Sequence, residues 1–249
     1  MQKKPIIEVC VDSINSALIA QSAGAYRVEL CNNLLEGGTT PSLGLIEMAR
    51  KHLTIKLYVL IRPRGGDFLY NDAEFEIMKS DIHQCGKIGC DGIVIGILNK
   101  DGTIDMARCR ELVELAKKYS MGVTFHRAFD RCVDLFQGLE DIIQLGCERI
   151  LTSGGQTSAI EGAEIIAQLI QKANERICIM PGAGLTPENV AELVKKTGAN
   201  EIHGTFRSRY SSQMNYKNIA FSNLEQEYNT WVADAEKIKT VIASLQQTF

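Results

Sequence analysis

The sequence has little of what marks several common functional classes. No apolar run approaches the ~18 residues that a membrane span needs. No block of lysine and arginine is present, and the few aromatics (6 %) are not interleaved with basic residues, so nucleic acid is not an expected partner. The formal charge is -3, with acids and bases mixed along the chain. No C-x-x-C occurs, and the nearest cysteines, Cys85 and Cys90, have no second pair to complete a structural zinc site. No H-E-x-x-H occurs either. The eight cysteines are scattered and the chain is not small, which argues against a secreted disulfide framework. Met1-Gln-Lys-Lys-Pro5 leads straight into an apolar stretch without a cleavable leader, so a cytoplasmic protein is expected.

What is present is an alternation of short apolar runs with amphipathic stretches, the pattern of a parallel sheet with helices outside it. The expected strands are Ile6–Val11, Tyr26–Leu30, Ile55–Ile61, Gly92–Ile97, Gly122–Phe125, Arg149–Thr152, Ile177–Met180 and Glu201–His203. Eight such units in 249 residues fit an α/β fold of the (β/α)₈ TIM-barrel type, one domain over residues 1–249. A doubly wound open sheet is the alternative. It usually carries its glycine fingerprint after the first strand, where this chain has Val11-Asp12-Ser13. Thr40 is expected to cap a helix that has Pro41 at its first position. Residues 205–230 read as a long loop or lid before a last helix over about Trp231–Leu245.

Side chains alternate across a strand. The apolar sets, such as Val9 and Val11 or Val28 and Leu30, must pack on the helices. The opposite set then points into the barrel: Glu8, Cys10, Arg27, Glu29, Cys31, Tyr58, Arg62, His126, Glu201 and His203. Barrel interiors are usually filled by Val, Ile and Leu. So many buried charges are costly unless they pair, so part of this set must be a structural ion network. The members at strand C-termini face the mouth, where barrel sites lie.

Several groups near that mouth carry chemistry. Ile61-Arg-Pro-Arg-Gly-Gly-Asp-Phe68 ends a strand with two guanidiniums beside a diglycine nest, a candidate anion site built on Arg62 and Arg64. The same arginines would also serve as pairs for barrel acids. Pro181-Gly-Ala-Gly184 follows the seventh strand, where barrels often cradle phosphate, with Ser153-Gly154-Gly155 next door. Gly154, Gly182 and Gly184 therefore join the candidate anion set, against the plainer reading of tight turns. Cys10 and Cys31 lie near the ends of neighbouring strands on one face, and two thiolates so placed can hold Cu(I). Two buried core cysteines are the competing reading. His126 is a candidate general base or metal ligand, against a hydrogen-bonded core histidine. No lysine is clearly placed inward at a strand end, which argues against Schiff-base chemistry.

Six stretches, in order, carry a family likeness: Glu8-Val-Cys-Val-Asp12, Arg27-Val-Glu-Leu-Cys31, Glu36-Gly-Gly-Thr-Thr-Pro-Ser42, Ile61–Phe68, Phe125-His-Arg-Ala-Phe-Asp130 and Leu151-Thr-Ser-Gly154. From about Ile6 to Ser208 the chain resembles CutC, the copper homeostasis protein family. The resemblance implies a (β/α)₈ barrel, a cytoplasmic setting and a link to copper handling. It places the family's proposed Cu(I)-binding cysteines at Cys10 and Cys31. One departure is Thr205, where the family more often has serine.

Two functions follow as expectations. The first is Cu(I) binding through Cys10 and Cys31 for copper buffering or trafficking, by a barrel expected to form a homo-oligomer. The second is an enzyme acting on a small anionic or phosphorylated substrate. There Arg62, Arg64 and the glycine loops hold the anion, His126 is the acid-base group, Asp130 orients it, and Glu29 is a second carboxylate. An oligomeric scaffold with no ligand at the barrel mouth is a third reading.

Overall fold

The structure, a computed structural model, describes residues 6–218, 220 and 228–248. Eight parallel strands alternate with helices: β1 (Ile6–Val11), α1 (Ile14–Ser22), β2 (Arg27–Leu30), α2 (Leu43–His52), β3 (Lys56–Leu60), α3 (Asp72–Ile88), β4 (Gly92–Ile95), α4 (Met106–Lys118), β5 (Gly122–Phe125), α5 (Leu135–Leu145), β6 (Arg149–Thr152), α6 (Ala163–Ala173), β7 (Cys178–Pro181), α7 (Val190–Thr197) and β8 (Glu201–Gly204). Their order is β7-β6-β5-β4-β3-β2-β1-β8. This is the expected barrel, nearly closed: β7 and β8 lie side by side but share no hydrogen-bonded register. No helix among the described residues is long and apolar enough to cross a membrane.

Local chemistry starts the helices. Ser13 accepts from the Ser16 N–H at 3.2 Å, and Asn71 and Glu74 form a reciprocal capping box. The helix after β2 begins later than the Thr40-Pro41 signal suggests. Ser42 caps it instead. Thr40 is used elsewhere, its Oγ1 accepting from the Arg62 N–H at 2.9 Å and pinning the β2–α2 loop to the end of β3.

The region from 205 onward also differs from expectation. Arg207–Ser211 (β9) and Asn229–Ala233 (β10) form an antiparallel ribbon. Trp231 is therefore in a strand, over which Arg207 stacks at 4.9 Å. The last helix, α8, starts at Ala235. Residues 219 and 221–227 of the proposed lid lie outside the described residues.

The main apolar core fills the layer between strands and helices, with Val9, Val28, Leu57, Ile93, Phe125 and Ile150 fully covered. At about 25 cal/mol per Å² this layer is the chief source of stability. A smaller cluster of Cys10, Cys31, Tyr58, Leu60 and Val94 lies inside the barrel. Gly92 and Gly122 leave the room for Tyr58, since a Cβ on either would overlap its ring or hydroxyl.

All ten residues assigned to the interior by alternation are buried. Register explains their pairing. Glu8 stands opposite Arg27 on β2 and His203 on β8. Arg27 holds Glu8 and, at 2.5 Å, Glu201. Arg149 reaches Glu201 at 2.6 Å. The two arginines stack on Tyr58 at 5.0 and 5.5 Å, whose hydroxyl donates to Glu148 at 2.8 Å. Arg149 was absent from the interior set drawn from alternation, although Arg149 and Leu151 share one face of β6.

Candidate functional site at the barrel mouth

At the C-terminal end of the strands a cavity of about 310 Å³ is lined by Cys10, Glu29, Cys31, Arg62, His126 and His203. Apolar walls come from Leu34, Leu60, Phe68, Leu151 and Leu185. β1 and β2 carry the sulfur pair. Cys10 Sγ and Cys31 Sγ are 3.5 Å apart, both buried. That is far beyond a disulfide bond length, and both thiols are free. Cys31 Sγ donates to the Val11 carbonyl at 3.4 Å. The bond to Cys31, then burial, pushes the Cys10 thiol well above its ordinary range.

Beside this pair, the ligand atoms of Cys10, Glu29 and His203 all lie within 4.8 Å of one another. His203 is clamped between two acids, Nδ1 at 2.7 Å from Glu8 and Nε2 at 3.6 Å from Glu29. Burial alone would discharge it. The interaction with Cys10 and the Glu29 and Glu8 charges outweigh burial and raise its pKa well above normal. Burial also raises the Glu29 carboxyl. Glu8 goes the other way, to about 2, because Arg27 and His203 overcome its burial.

Arg62 and His126 occupy the opposite wall, against one aromatic ring. The Arg62 guanidinium lies 5.0 Å over Phe68, and the His126 ring is 4.9 Å from it. Gly96 makes this approach feasible, since a Cβ there would sit 2.5 Å from His126 Cε1. Arg62 donates to the carbonyls of Glu36 at 2.9 Å, Gly38 at 2.6 Å and Gly66 at 2.7 Å. It thus locks the loops after β2 and β3. Its Nε makes no close hydrogen bond, and neither does the Tyr70 hydroxyl, which interacts with the Arg62 side chain.

His126, the expected acid-base group, is held in one tautomer by the chain that follows it. Its Nδ1 accepts from the Ala128 N–H at 3.1 Å, which places the proton on Nε2. That Nε2 is buried without a partner. Burial, then the Arg62 charge, lowers its pKa to about 3, so the ring is a neutral donor at physiological pH. Asp130 does not orient it. That carboxylate accepts from Arg127 Nε at 2.7 Å, Thr152 Oγ1 at 2.5 Å and the Ser153 and Gly155 N–H groups at 3.0 Å, and so shapes the loop after β6.

The remaining anion candidates divide. Gly184 lines the cavity beside Ala183 and Thr186. Gly182 lies behind it, its N–H given to the Thr152 carbonyl and its Cα packed on His203. Gly154 packs on Gly162 and donates to Thr152 Oγ1. Arg64 turns away to Glu74 at 2.6 Å and Asp67 at 2.9 Å. The expectation that it faces the mouth fails because the capping box of α3 presents Glu74 as a nearer partner. Phe68, Arg127 and Thr205 also line the mouth. The sequence signal for Arg127 was its place just after a strand end, and for Phe68 its place at the end of the arginine–glycine loop that follows β3.

The model of the CutC family matches residues 5–208. The chain belongs to the CutC family. A CutC family protein of Xanthomonas campestris is 47 % identical over 240 residues, covering 96 % of this chain and 98 % of that one. A mouse protein named copper homeostasis protein cutC homolog is 46 % identical over 242 residues, 96 % of this chain and 88 % of that one. The crystal structure of CutC from Streptococcus agalactiae superposes with a TM-score of 0.77 at 37 % identity, over 81 % of this chain and 98 % of that one. Phosphoribosylanthranilate isomerase from Thermotoga maritima matches with a TM-score of 0.58 at 13 % identity, over 98 % of this chain and 99 % of that one. That likeness concerns the barrel alone. In this CutC-family chain the matched span ends just inside β9, so the ribbon and α8 lie largely beyond it.

Proposed function

We propose that the protein binds Cu(I) as cargo at the Cys10–Cys31 pair and buffers or hands on copper in the cytoplasm. The observation that carries this reading is the 3.5 Å separation of two buried, free sulfurs at the wall of an open cavity. Soft thiolates favour Cu(I) at low coordination number. The donor set fits, with His203 and Glu29 within reach of Cys10 as a borderline nitrogen and a charge-balancing oxygen. Eight free cysteines agree with a reducing compartment. Copper homeostasis in the name of the mouse relative supports the same reading.

Loading requires that Cys10 surrender a proton it holds tightly, so the empty site resists becoming a bare thiolate pair. The test is an anaerobic competition titration of reduced protein against a chromogenic Cu(I) chelator. Wild type should take up one Cu(I) per chain. The Cys10→Ser/Cys31→Ser variant should bind more weakly by upwards of roughly 100-fold, exceeding the loss typical of an outer-shell change. Equal binding by both proteins would reject the site.

A further inference from the structure

Three arginines are buried inside the barrel, and they are not treated alike. Arg27 and Arg149 each meet a glutamate. Arg62, only 4 % exposed, enters no ion pair among the described residues and is held by carbonyl dipoles and the face of Phe68. A buried cation without an anion is costly, and a buried donor without an acceptor adds about 1–3 kcal/mol. His126 Nε2 is such a donor on the cavity wall, shielded by its surroundings and packed on Phe68, while Arg62, packed on the same ring, has the Tyr70 hydroxyl as a neighbour.

Phe68 is also a partition. It lines the mouth cavity on one side and a groove of about 680 Å³ on the other. Arg62 and Arg127 line both spaces, and Lys100 and Arg131 line the groove alone. The groove presents four cations against two acids, Glu36 and Asp67; Asp67 pairs with Arg64 and Arg127 with Asp130, which leaves Arg62, Lys100 and Arg131 facing Glu36. Lys100 and Arg131 enter no ion pair among the described residues and are exposed.

We propose that the mouth binds a small organic oxyanion, a carboxylate or phosphate, whose charged end enters from the Lys100–Arg131 groove and settles at Arg62 and His126 beside Phe68. The exposed cations draw the anion in, and displacement of the half-buried Phe68 ring gives it the unmatched His126 N–H and the Arg62 charge. His126 serves as a neutral donor to the ligand oxygen. The apolar wall of Leu34, Leu60 and Leu151 takes the ligand body. This site shares the mouth cavity with the sulfur pair but is built from different polar side chains.

The test uses protein labelled with ¹⁵N-histidine, titrated with inorganic phosphate and separately with succinate, against sodium chloride at matched ionic strength. The His126 ring signal and the thermal midpoint are followed together. A saturable shift of that signal with a raised midpoint supports the site, and the more effective probe tells phosphate from carboxylate. Lys100→Glu/Arg131→Glu, at two exposed positions, should weaken binding about tenfold, equivalent to about 1.4 kcal/mol. If neither probe exceeds chloride, or if the charge-reversed variant responds like wild type, the assignment is overturned.

Discussion

His203 Nδ1 lies 2.7 Å from Glu8 Oε1, and register makes this pairing obligatory because the two residues stand opposite each other on β8 and β1. The imidazole is therefore part of the barrel's ion network at one nitrogen and part of the sulfur site at its other end. Any proton or metal exchange at Cys10 would be coupled through it to the charges below.

The first consequence is a pH dependence of copper affinity. The Cys10 thiol and the His203 imidazole both have raised pKa values, so both hold protons in the neutral range. Binding Cu(I) at Cys10 expels a proton, and recruiting His203 expels another. Affinity should rise with pH, about tenfold per pH unit for each proton released. Competition titrations across the neutral range measure the slope. His203→Gln should lower affinity by roughly 10–100-fold and flatten the slope.

His126 sets a stability dependence of defined sign. Its pKa is depressed from 6.5 to about 3 in the fold. Below pH 6.5 the unfolded chain binds a proton that the native ring refuses, so this contribution is complete above 6.5 and is lost as pH falls toward 3. The slope approaches about 1.4 kcal/mol per pH unit in that window. His126→Phe keeps a ring beside Phe68 and removes the titration. The difference in urea-unfolding free energy between variant and wild type should therefore change across this window and be flat above it.

Arg27 is the centre of the buried network. Arg27→Met leaves Glu8 facing only His203, and should cost roughly 3–5 kcal/mol, because removing one partner strands a buried charge. Chemical denaturation measures the loss. A cost below about 1 kcal/mol would mean that water or His203 compensates Glu8 fully.

Tyr58 and its glycine neighbours make a volume prediction. Gly92→Ala places a methyl into the Tyr58 ring and should cost about 1–3 kcal/mol by overpacking. Tyr58→Leu in the same chain should recover part of that loss, with a coupling energy visible in a double-mutant cycle. Tyr58 also stacks under Arg27 and Arg149, so the rescue should be incomplete.

The barrel was legible because period-two alternation and helix punctuation are local signals. Glu8-Val-Cys-Val and Arg27-Val-Glu-Leu announce one polar and one apolar face, and burial of both sets follows. The partner of each inward group was less accessible. Whether Arg64 meets an anion or Glu74, and whether Asp130 meets His126 or the Ser153 loop, depends on where loops turn. That is set by contacts such as Arg62 on the Glu36 and Gly38 carbonyls. The state of His126 was hidden for the same reason, since a backbone N–H two residues away occupies its Nδ1. The ribbon of β9 and β10 escaped because Arg207–Ser211 is polar without an apolar alternation and its partner strand lies beyond a long intervening segment.

The sheet has two ends, and they meet without a ladder. The tube is thus a split ring rather than a hoop. A hoop widens only by breaking backbone hydrogen bonds, whereas a split ring widens by letting its lips slide. Here the lips carry Gly182 and His203, packed against each other. The wall where the imidazole faces the sulfurs is therefore closed by side-chain packing, whereas the wall of β3, β4 and β5 is closed by backbone ladders.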